Sequence, residues 1–185
     1  MSISLPNPMS KSKPQRAILI TGFGSWGKSR HIKDLFGLKR FVHRSFRPVD
    51  PLINAEFLVE SRSNDDVGHA AFIHNVAERY RRAGSKYKST DLIAAFCPAR
   101  EKLNDCIHVL QSLPFQRFDE VHVVLLQYKW DWHAELRLTE VKGYLRRDRR
   151  VAFHLVDHDK AFTSDADRLL ARDKAIRAYL RRLYP

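Results

Sequence analysis

A short apolar run that leads directly into a glycine-rich loop constrains the fold of this chain more than any other feature. Residues 17–20 read AILI, which is typical of a strand buried on both faces of a sheet. Residues 22–29 read GFGSWGKS and fit the pattern G-x-x-x-x-G-K-[ST]. Because this pattern requires a strand before it and a helix after it, the sequence predicts a helix over residues 29–36 that ends at Gly37.

The loop contains the residue types that bind a chain of phosphates. Gly22 and Gly27 allow backbone conformations in which successive N–H groups point at one anion. Lys28 can place its charge on the β- and γ-phosphates, and the Ser29 hydroxyl can ligate Mg²⁺. The positive end of the following helix faces the same anion. The predicted nucleotide-binding residues are Gly22, Phe23, Gly24, Ser25, Trp26, Gly27, Lys28, Ser29 and Arg30.

Two points about this loop stay open at the level of sequence. A glycine-rich turn between strand and helix that binds nothing fits the same pattern. Trp26 is a large residue in a loop that normally has small ones, and it either stacks on or shields the phosphates, or packs on the protein surface.

Length and composition predict one globular domain. The chain has 185 residues, of which 44% are hydrophobic and 29% charged, and this is ordinary for a soluble protein with one core. No apolar run reaches the length of a membrane span, and the N-terminus has no signal-peptide pattern. Cys97 and Cys106 are too few for a disulfide scaffold and lack metal-ligand spacing, so we expect a cytoplasmic protein without membrane contact.

The charge balance favours an anionic partner. Lys and Arg outnumber Asp and Glu by 33 to 21, which gives a formal net charge of +12. Nucleic acid is one possible partner, and a well-solvated basic surface is the other interpretation. Residues 1–16 are rich in Pro, Ser and basic residues, so we expect a flexible basic arm ahead of a domain over residues 17–185.

Strand-like and helix-like segments alternate along the rest of the chain. This alternation predicts right-handed βαβ crossovers and an α/β fold: a three-layer αβα sandwich with a mainly parallel five-stranded sheet and ligands at the carboxyl ends of the strands. In the last helix, Leu169, Leu170, Ile176, Leu180 and Leu183 form the apolar side, and Arg168, Arg172, Arg177, Arg181 and Arg182 are expected in solvent. The predicted strands are 17–20, 39–46, 91–96, 118–126 and 151–156, with a possible short one at 56–59; the further helices are 63–82, 101–113, 133–147 and 164–183.

With these motifs in this order, the chain resembles the P-loop NTPase superfamily, and within it the small nucleotide and metabolite kinases. The local likeness is to adenylylsulfate kinases, in which a buried strand is followed by a serine-proline-x-arginine turn. Here residues 91–96 are followed by Cys97-Pro98-Ala99-Arg100, so that cysteine stands in place of the serine. The acidic, magnesium-facing motif of that family is not recognisable, and Asp50 is the nearest candidate.

The resemblance implies an ATP-dependent kinase that transfers the γ-phosphoryl group to a small acidic or nucleotide-like acceptor. Its implied catalytic residues are Lys28, Arg100 for the acceptor's anionic group, Arg137 from a lid, and Asp50 for magnesium or for the acceptor hydroxyl, with Asp65 and Asp66 as further carboxylates. The implied cofactors are ATP or GTP with Mg²⁺, held through Ser29. A surface ion pair for Arg100, a solvated helix for Arg137 and helix capping for the paired aspartates are the alternatives.

A second function also fits the sequence. A nucleic-acid- or protein-binding module that keeps the loop as a regulatory nucleotide site, without kinase activity, would account for the net charge. Trp130 and Trp132 lie among basic residues, as in a base-stacking surface, although ordinary packing beneath a lid is the favoured interpretation. The spacing of the histidines supports no metal site beyond magnesium.

Overall fold

A parallel sheet of five strands forms the centre of the fold in a computed structural model, which describes residues 13–131, 134–157, 162 and 164–185. A separate two-stranded hairpin lies outside this sheet. In chain order the strands are β1 (Arg16–Thr21), β2 (Phe57–Glu60), β3 (Asp91–Phe96), β4 (Arg100–Glu101), β5 (Asn104–Asp105), β6 (Glu120–Leu126) and β7 (Val151–Val156). The α/β class and the parallel five-stranded sheet are therefore as predicted.

Helices connect the strands of the large sheet and cover it. In chain order they are α1 (Lys28–Phe36), α2 (Asn64–Val67), α3 (His69–Ala83), α4 (Cys106–Gln111), α5 (Leu113–Gln116), α6 (Leu138–Leu145) and α7 (Asp165–Leu183), with a 3₁₀ turn at Ser85–Tyr87. Among the described helices, none combines the length and the apolar character that a membrane crossing requires.

The order of the strands explains how the helices divide into layers. The sheet runs β2-β3-β1-β6-β7, so the chain moves one way from β1 to β2 and the opposite way in the later crossovers. Because parallel crossovers are right-handed, α1 belongs on one face and the helices of the later crossovers on the other. Accordingly α3 contacts α4 and α5, whereas α1 contacts α7. The arrangement is consistent with a three-layer sandwich.

The core is built on β1. Its register pairs Ile18 with Ile93 of β3 on one side and with His122 of β6 on the other. Residues 17–19 are fully buried, as a strand covered on both faces requires. Because β1 is held on both sides, the loop that follows it leaves the sheet from a rigid position.

The segment predicted as a strand over residues 39–46 is irregular, and this prediction was wrong. Only Phe46 makes a ladder contact, an antiparallel bridge to Phe57. Phe41 and Phe46 instead pack edge-on against Phe36 at the end of α1. These aromatic residues therefore belong to a side-chain cluster, and the second strand of the chain is the short segment that begins at Phe57.

Three helix predictions also need correction. The helix over 63–82 is broken at Gly68, whose φ of +80° separates α2 from α3. The helix over 101–113 begins only at Cys106, because residues 100–105 form the hairpin of β4 and β5. The helix over 133–147 is confined to α6, and residue 133 lies outside the described residues.

Most of the predicted basic arm, residues 1–12, lies outside the described residues. The part that is described is attached to the domain. The backbone N–H of Gln15 donates to Asp119 Oδ2 at 2.8 Å, and β1 begins at Arg16, one residue before the predicted domain boundary.

Candidate functional site

The loop between β1 and α1 lies where the carboxyl ends of several parallel strands meet. The direction of the crossovers reverses at β1, since the chain leaves β1 toward β2 in one direction and passes from β3 to β6, across β1, in the other. Open α/β sheets bind ligands at such a point. The segments that follow β1, β2, β3 and β6 all contribute residues to this edge.

Most backbone amides of the loop have no hydrogen-bond acceptor in the described structure. Gly22 N–H donates to the Phe96 carbonyl at 3.1 Å, which fixes the start of the loop to β3. Ser25 has a φ of +60° and Gly27 a φ of +84°, a region that side chains disfavour. The amides of residues 23–25 and 27 donate to no acceptor within the described part of the chain. Unsatisfied N–H groups beside the first turn of α1 form a site for negative charge.

Trp26 packs inward. Its side chain is 3% exposed and belongs to the hydrophobic core, with the Phe23 ring edge-on at 5.7 Å. A Cβ on Gly22 would lie 3.1 Å from the Trp26 ring, so glycine is needed there for close approach. The indole therefore packs beneath the loop and supports it. This role differs from both roles predicted from the sequence, contact with the phosphates and packing on the protein surface.

Lys28 and Ser29, in the first turn of α1, both turn their polar groups toward the site. Lys28 is 5% exposed, and its Nζ donates to the Phe23 carbonyl at 2.8 Å and to Asp65 Oδ2 at 3.2 Å. The Ser29 hydroxyl donates to the Ser61 carbonyl, directly after β2. The ammonium of Lys28 thus closes across the loop toward the carboxylate of Asp65, in the helix that follows β2.

The paired aspartates of α2 have different roles. Asp66 accepts from the backbone N–H of Ser63 at 2.8 Å and caps the helix. Asp65 instead lies beside the loop, paired with Lys28 and close to Gly24, where a Cβ would come 3.6 Å from Oδ2. Capping was therefore the correct interpretation for only one of the two, and Asp65 is the carboxylate at the site.

Asp50 is not brought to the loop. It lies near the carboxyl-terminal ends of α1 and α7, where it forms an ion pair with Arg181 at 2.6 Å. Burial acts to raise the pKa of Asp50, but the hydrogen bonds from Arg181 and from the Leu52 N–H outweigh it, so this pKa lies below its ordinary value. Its role in this structure is a structural ion pair at the opposite end of α1.

Arg100 and Arg137 lie on one cleft beside the loop. The cleft has a volume of about 420 Å³, and Phe23 forms part of its wall. Arg100 pairs with Asp105 at 3.2 Å and lies over the Tyr144 ring, whereas Arg137 makes no ion pair within the described residues. The same cleft is lined by three carboxylates, Glu101, Glu135 and Glu140, so its charge is mixed.

A buried asparagine that sequence reasoning missed connects the segments around this cleft. Asn64 Oδ1 accepts from Cys97 N–H at 2.7 Å, and its Nδ2 donates to the Cys97 carbonyl at 2.9 Å and to Asn104 Oδ1 at 2.5 Å. It thereby joins the end of β2 to the turn that bears Arg100. In the sequence, the one feature that points to Asn64 is its position directly before Asp65 and Asp66.

A second, smaller cavity adjoins the loop. It has a volume of about 240 Å³ and a mainly apolar lining, formed by Ser25, Gly27, Arg30, Trp130 and Leu169. Trp130 Nε1 donates to the Ser25 carbonyl at 3.0 Å, which joins the segment after β6 to the loop. Trp132 lies outside the described residues. A flat aromatic group connected to an anion in the loop would fit beside Trp130.

The donor set at the loop suits Mg²⁺ better than a metal with an all-protein site. Within the described ranges no group of three His, Cys, Asp or Glu side chains could hold a metal ion. Mg²⁺ takes most of its oxygens from water and substrate phosphates, so the Ser29 hydroxyl can be its protein ligand. Burial raises the pKa of Cys97 to about 11 and that of Cys106 to about 12, which makes neither thiol a nucleophile.

The geometry therefore brings together the loop, Lys28, Ser29, Arg30, Arg100 and Arg137, adds Asp65, and leaves Asp50 apart. Comparison of this chain with protein-family models, with curated proteins and with solved structures finds no match.

Proposed function

We propose that this protein is a kinase of the P-loop type, which binds ATP or GTP with Mg²⁺ and transfers the γ-phosphoryl group to a small acceptor. One observation carries the proposal: the backbone amides of residues 23–25 and 27 have no acceptor in the described chain, and the ammonium of Lys28 lies over the same loop, bonded to the Phe23 carbonyl and to Asp65. Amide donors and a nearby lysine are what a polyphosphate requires.

In the free protein the ammonium of Lys28 is paired with Asp65, and it changes partner when phosphate binds. The ammonium lies within hydrogen-bond reach of a carbonyl and one carboxylate, so a triphosphate can replace the carboxylate as its main anionic partner. In the nucleotide complex Lys28 contacts the β- and γ-phosphates, and Asp65 is released toward the γ-phosphate.

The base of the nucleotide occupies the smaller cavity. Its mainly apolar walls and the indole of Trp130 suit a planar ring, and Arg30 at the start of α1 lies near the phosphates. The cavity shares Ser25 and Gly27 with the loop, so base and triphosphate belong to one molecule. No described side chain of the cavity discriminates adenine from guanine.

The acceptor occupies the larger cleft, on the Phe23 side of the loop. Arg100 and Arg137 bind its anionic group, and Arg137 has no competing ion pair within the described chain. Glutamates also line the cleft, so an acceptor that carries hydroxyl or amino groups besides its negative charge fits better than a simple polyanion. The sequence predicts an acidic or nucleotide-like acceptor, and within that class the cleft favours one that also carries hydroxyl or amino groups.

The reaction is a displacement at the γ-phosphorus. An acceptor oxygen forms the new bond to phosphorus, the bond to the bridging oxygen of the β-phosphate breaks, and the nucleoside diphosphate leaves. Asp65 orients the acceptor hydroxyl and accepts its proton, while Lys28 and the loop amides stabilise the charge on the phosphates. Mg²⁺, held through Ser29, supplies neutralisation of the phosphate charge.

Titration calorimetry with Mg²⁺-ATP tests the proposal. We expect saturable binding by the wild type and a loss of about 10- to 100-fold in Lys28→Ala, as befits hydrogen bonds to a charged group. Lys33→Ala is the matched control, because Lys33 is an exposed lysine of the same helix with no side-chain partner in the described structure. Wild-type protein that binds neither Mg²⁺-ATP nor Mg²⁺-GTP would overturn the proposal.

A second function rests on a different observation, the net charge of +12. A basic module that binds nucleic acid would show affinity for a single-stranded oligonucleotide that falls steeply with salt. The two functions are distinguished by Lys28→Ala, which weakens nucleotide binding but leaves oligonucleotide affinity and its salt dependence unchanged if the charge acts through the general surface.

A further inference from the structure

Arg172 of α7 is buried where the sequence pattern assigns it to solvent. Its relative exposure is 0%, and it lies on the same face of the helix as Leu169 and Ile176, three and four residues away. Its Nη2 donates to the Tyr128 carbonyl at 2.5 Å, and its Nη1 lies 3.5 Å from the Trp26 carbonyl. Burial lowers the pKa of this guanidinium to about 10.

The two carbonyls that Arg172 contacts belong to the two segments that supply Ser25, Gly27 and Trp130 to the walls of the smaller cavity. Trp26 is part of the loop, whose Ser25 and Gly27 line one wall. Tyr128 is part of the segment after β6, which places Trp130 in the other wall. Leu169 completes the lining one turn before Arg172, so the same face of α7 both lines the cavity and contacts the backbone on either side of it.

The residue next to Arg172 connects α7 to the loop a second time. Asp173 Oδ1 lies 2.5 Å from His31 Nδ1, and the His31 side chain is 1% exposed. His31 Nε2 has no hydrogen-bond partner among the described residues and lies 3.6 Å from where Gly27 would bear a Cβ. The loop is therefore supported from α7 at Trp26 and, through His31, at Gly27.

A buried guanidinium is costly, and this one is bonded to neutral carbonyls. Such a charge is retained where it fixes an arrangement that an apolar side chain would not. Arginine is suited to this task because its planar fork can donate to two separate carbonyls, whereas lysine offers one ammonium and methionine no donor.

We propose that Arg172 is a positioning residue that fixes the two walls of this cavity, and thereby gives the protein its preference for a nucleoside triphosphate over bare polyphosphate. The inference rests on the proposed function, because it takes the loop to bind phosphates and the cavity to bind the base. Arg172 itself contacts neither the phosphates nor the base. It acts through the backbone of residues 26 and 128.

Two ligands separate the cavity from the loop. Mg²⁺-tripolyphosphate uses the loop alone, whereas Mg²⁺-ATP uses the loop and the cavity. In calorimetry we expect the wild type to bind ATP at least about tenfold more tightly than tripolyphosphate, as one stacked base allows. We expect Arg172→Met to remove most of this preference, with tripolyphosphate affinity changed by less than about twofold.

Three further variants make the test specific. Arg172→Lys should retain an intermediate preference, because its single ammonium nitrogen can donate to one of the two separated carbonyls but does not span both. Trp130→Ala should remove the preference by a different route, and the double variant with Arg172→Met should show little further loss. Arg177→Met is the control: it removes an arginine–carbonyl contact of the same helix, to Asp34 at 2.8 Å, away from the cavity, and should behave as wild type.

The outcomes are distinguishable. Equal loss of both ligands in Arg172→Met and Arg172→Lys would overturn the inference, since Arg172 would then support the fold or the loop in general. An unchanged ATP preference in these variants would overturn it as well. Wild-type binding of tripolyphosphate and ATP with equal affinity would overturn the inference and leave the phosphate loop intact, whereas wild-type binding of neither ligand would overturn the proposed function together with it.

Discussion

Replacing Asp65 by asparagine should strengthen nucleotide binding. In the free protein Lys28 Nζ lies 3.2 Å from Asp65 Oδ2, and the side chains are 5% and 17% exposed, so solvent screens this pair only in part. A hydrogen bond between charged groups contributes about 1.5–3 kcal/mol. The triphosphate must compete with this bond for the ammonium, and asparagine keeps a neutral acceptor, so about 1–2 kcal/mol of the competition is removed. This corresponds to Mg²⁺-ATP binding that is about 5- to 30-fold tighter.

Calorimetry on Asp65→Asn, with urea unfolding on the same samples, is the assay. We expect the free energy of unfolding to fall by about 1–2 kcal/mol, because Lys28 loses its carboxylate partner while affinity rises. Asp66→Asn is the control: this neighbouring carboxylate caps α2 and faces Ser63, so stability falls by about 0.5–1 kcal/mol and affinity stays within about twofold. Weaker ATP binding by Asp65→Asn, or equal tightening by both variants, would refute the exchange of Lys28 between carboxylate and phosphate.

Three other perturbations test parts of the structure separately. Asp50→Asn should leave ATP affinity unchanged and cost about 1–2 kcal/mol of stability at pH 7. Because the pKa of Asp50 in the folded protein lies below its ordinary value of 3.8, the difference in stability from wild type should shrink only as the pH falls below about 4, and it should vanish below the folded pKa. Urea unfolding across pH measures this difference. Asn64→Ala leaves buried groups of Cys97 unpaired and should cost about 2–4 kcal/mol, and a loss under 1 kcal/mol would contradict the joining role assigned to it. Because burial raises the pKa of Cys97 to about 11 and that of Cys106 to about 12, both thiols should resist iodoacetamide at pH 8 in the native protein and react on unfolding, as mass spectrometry would show.

The strands that the sequence located correctly are those whose segments are mainly apolar. Residues 91–96 and 151–156 coincide with β3 and β7. β2 was harder to identify because it has four residues and ends in Glu60, a carboxylate that is 1% exposed and pairs with Arg79 at 2.8 Å. The buried ion pair interrupts the apolar pattern expected of β2, and the aromatic residues just before β2 have the composition of a strand. Local composition therefore placed the second strand too early in the chain.

The candidate site divides in the same way into local and nonlocal parts. The loop and Lys28 belong to one continuous motif, so the sequence alone predicts them. Asp65 and Asn64 reach the site because β2, β3 and β1 end at one edge, and this adjacency depends on the strand order. Residues 63–66 predicted a helix N-terminus, and one is there. Asp65 and Asp66 were both candidate carboxylates, but the sequence did not indicate which of the two lies beside Lys28.

The misassignment of Arg172 shows why residue type and periodicity can disagree. The buried positions Leu169, Arg172, Ile176 and Leu180 follow helical spacing without interruption, and Leu170, expected on the apolar side, is 52% exposed. Period alone would have placed position 172 inside, but the charge of arginine argued for solvent. A charge at a buried position of an amphipathic helix must find acceptors there, and in this fold the acceptors are backbone carbonyls of two segments that pack against α7. The last helix is thus joined to the first loop through polar contacts as well as through the core, so a change at Arg172 should be felt first at the cavity between those segments.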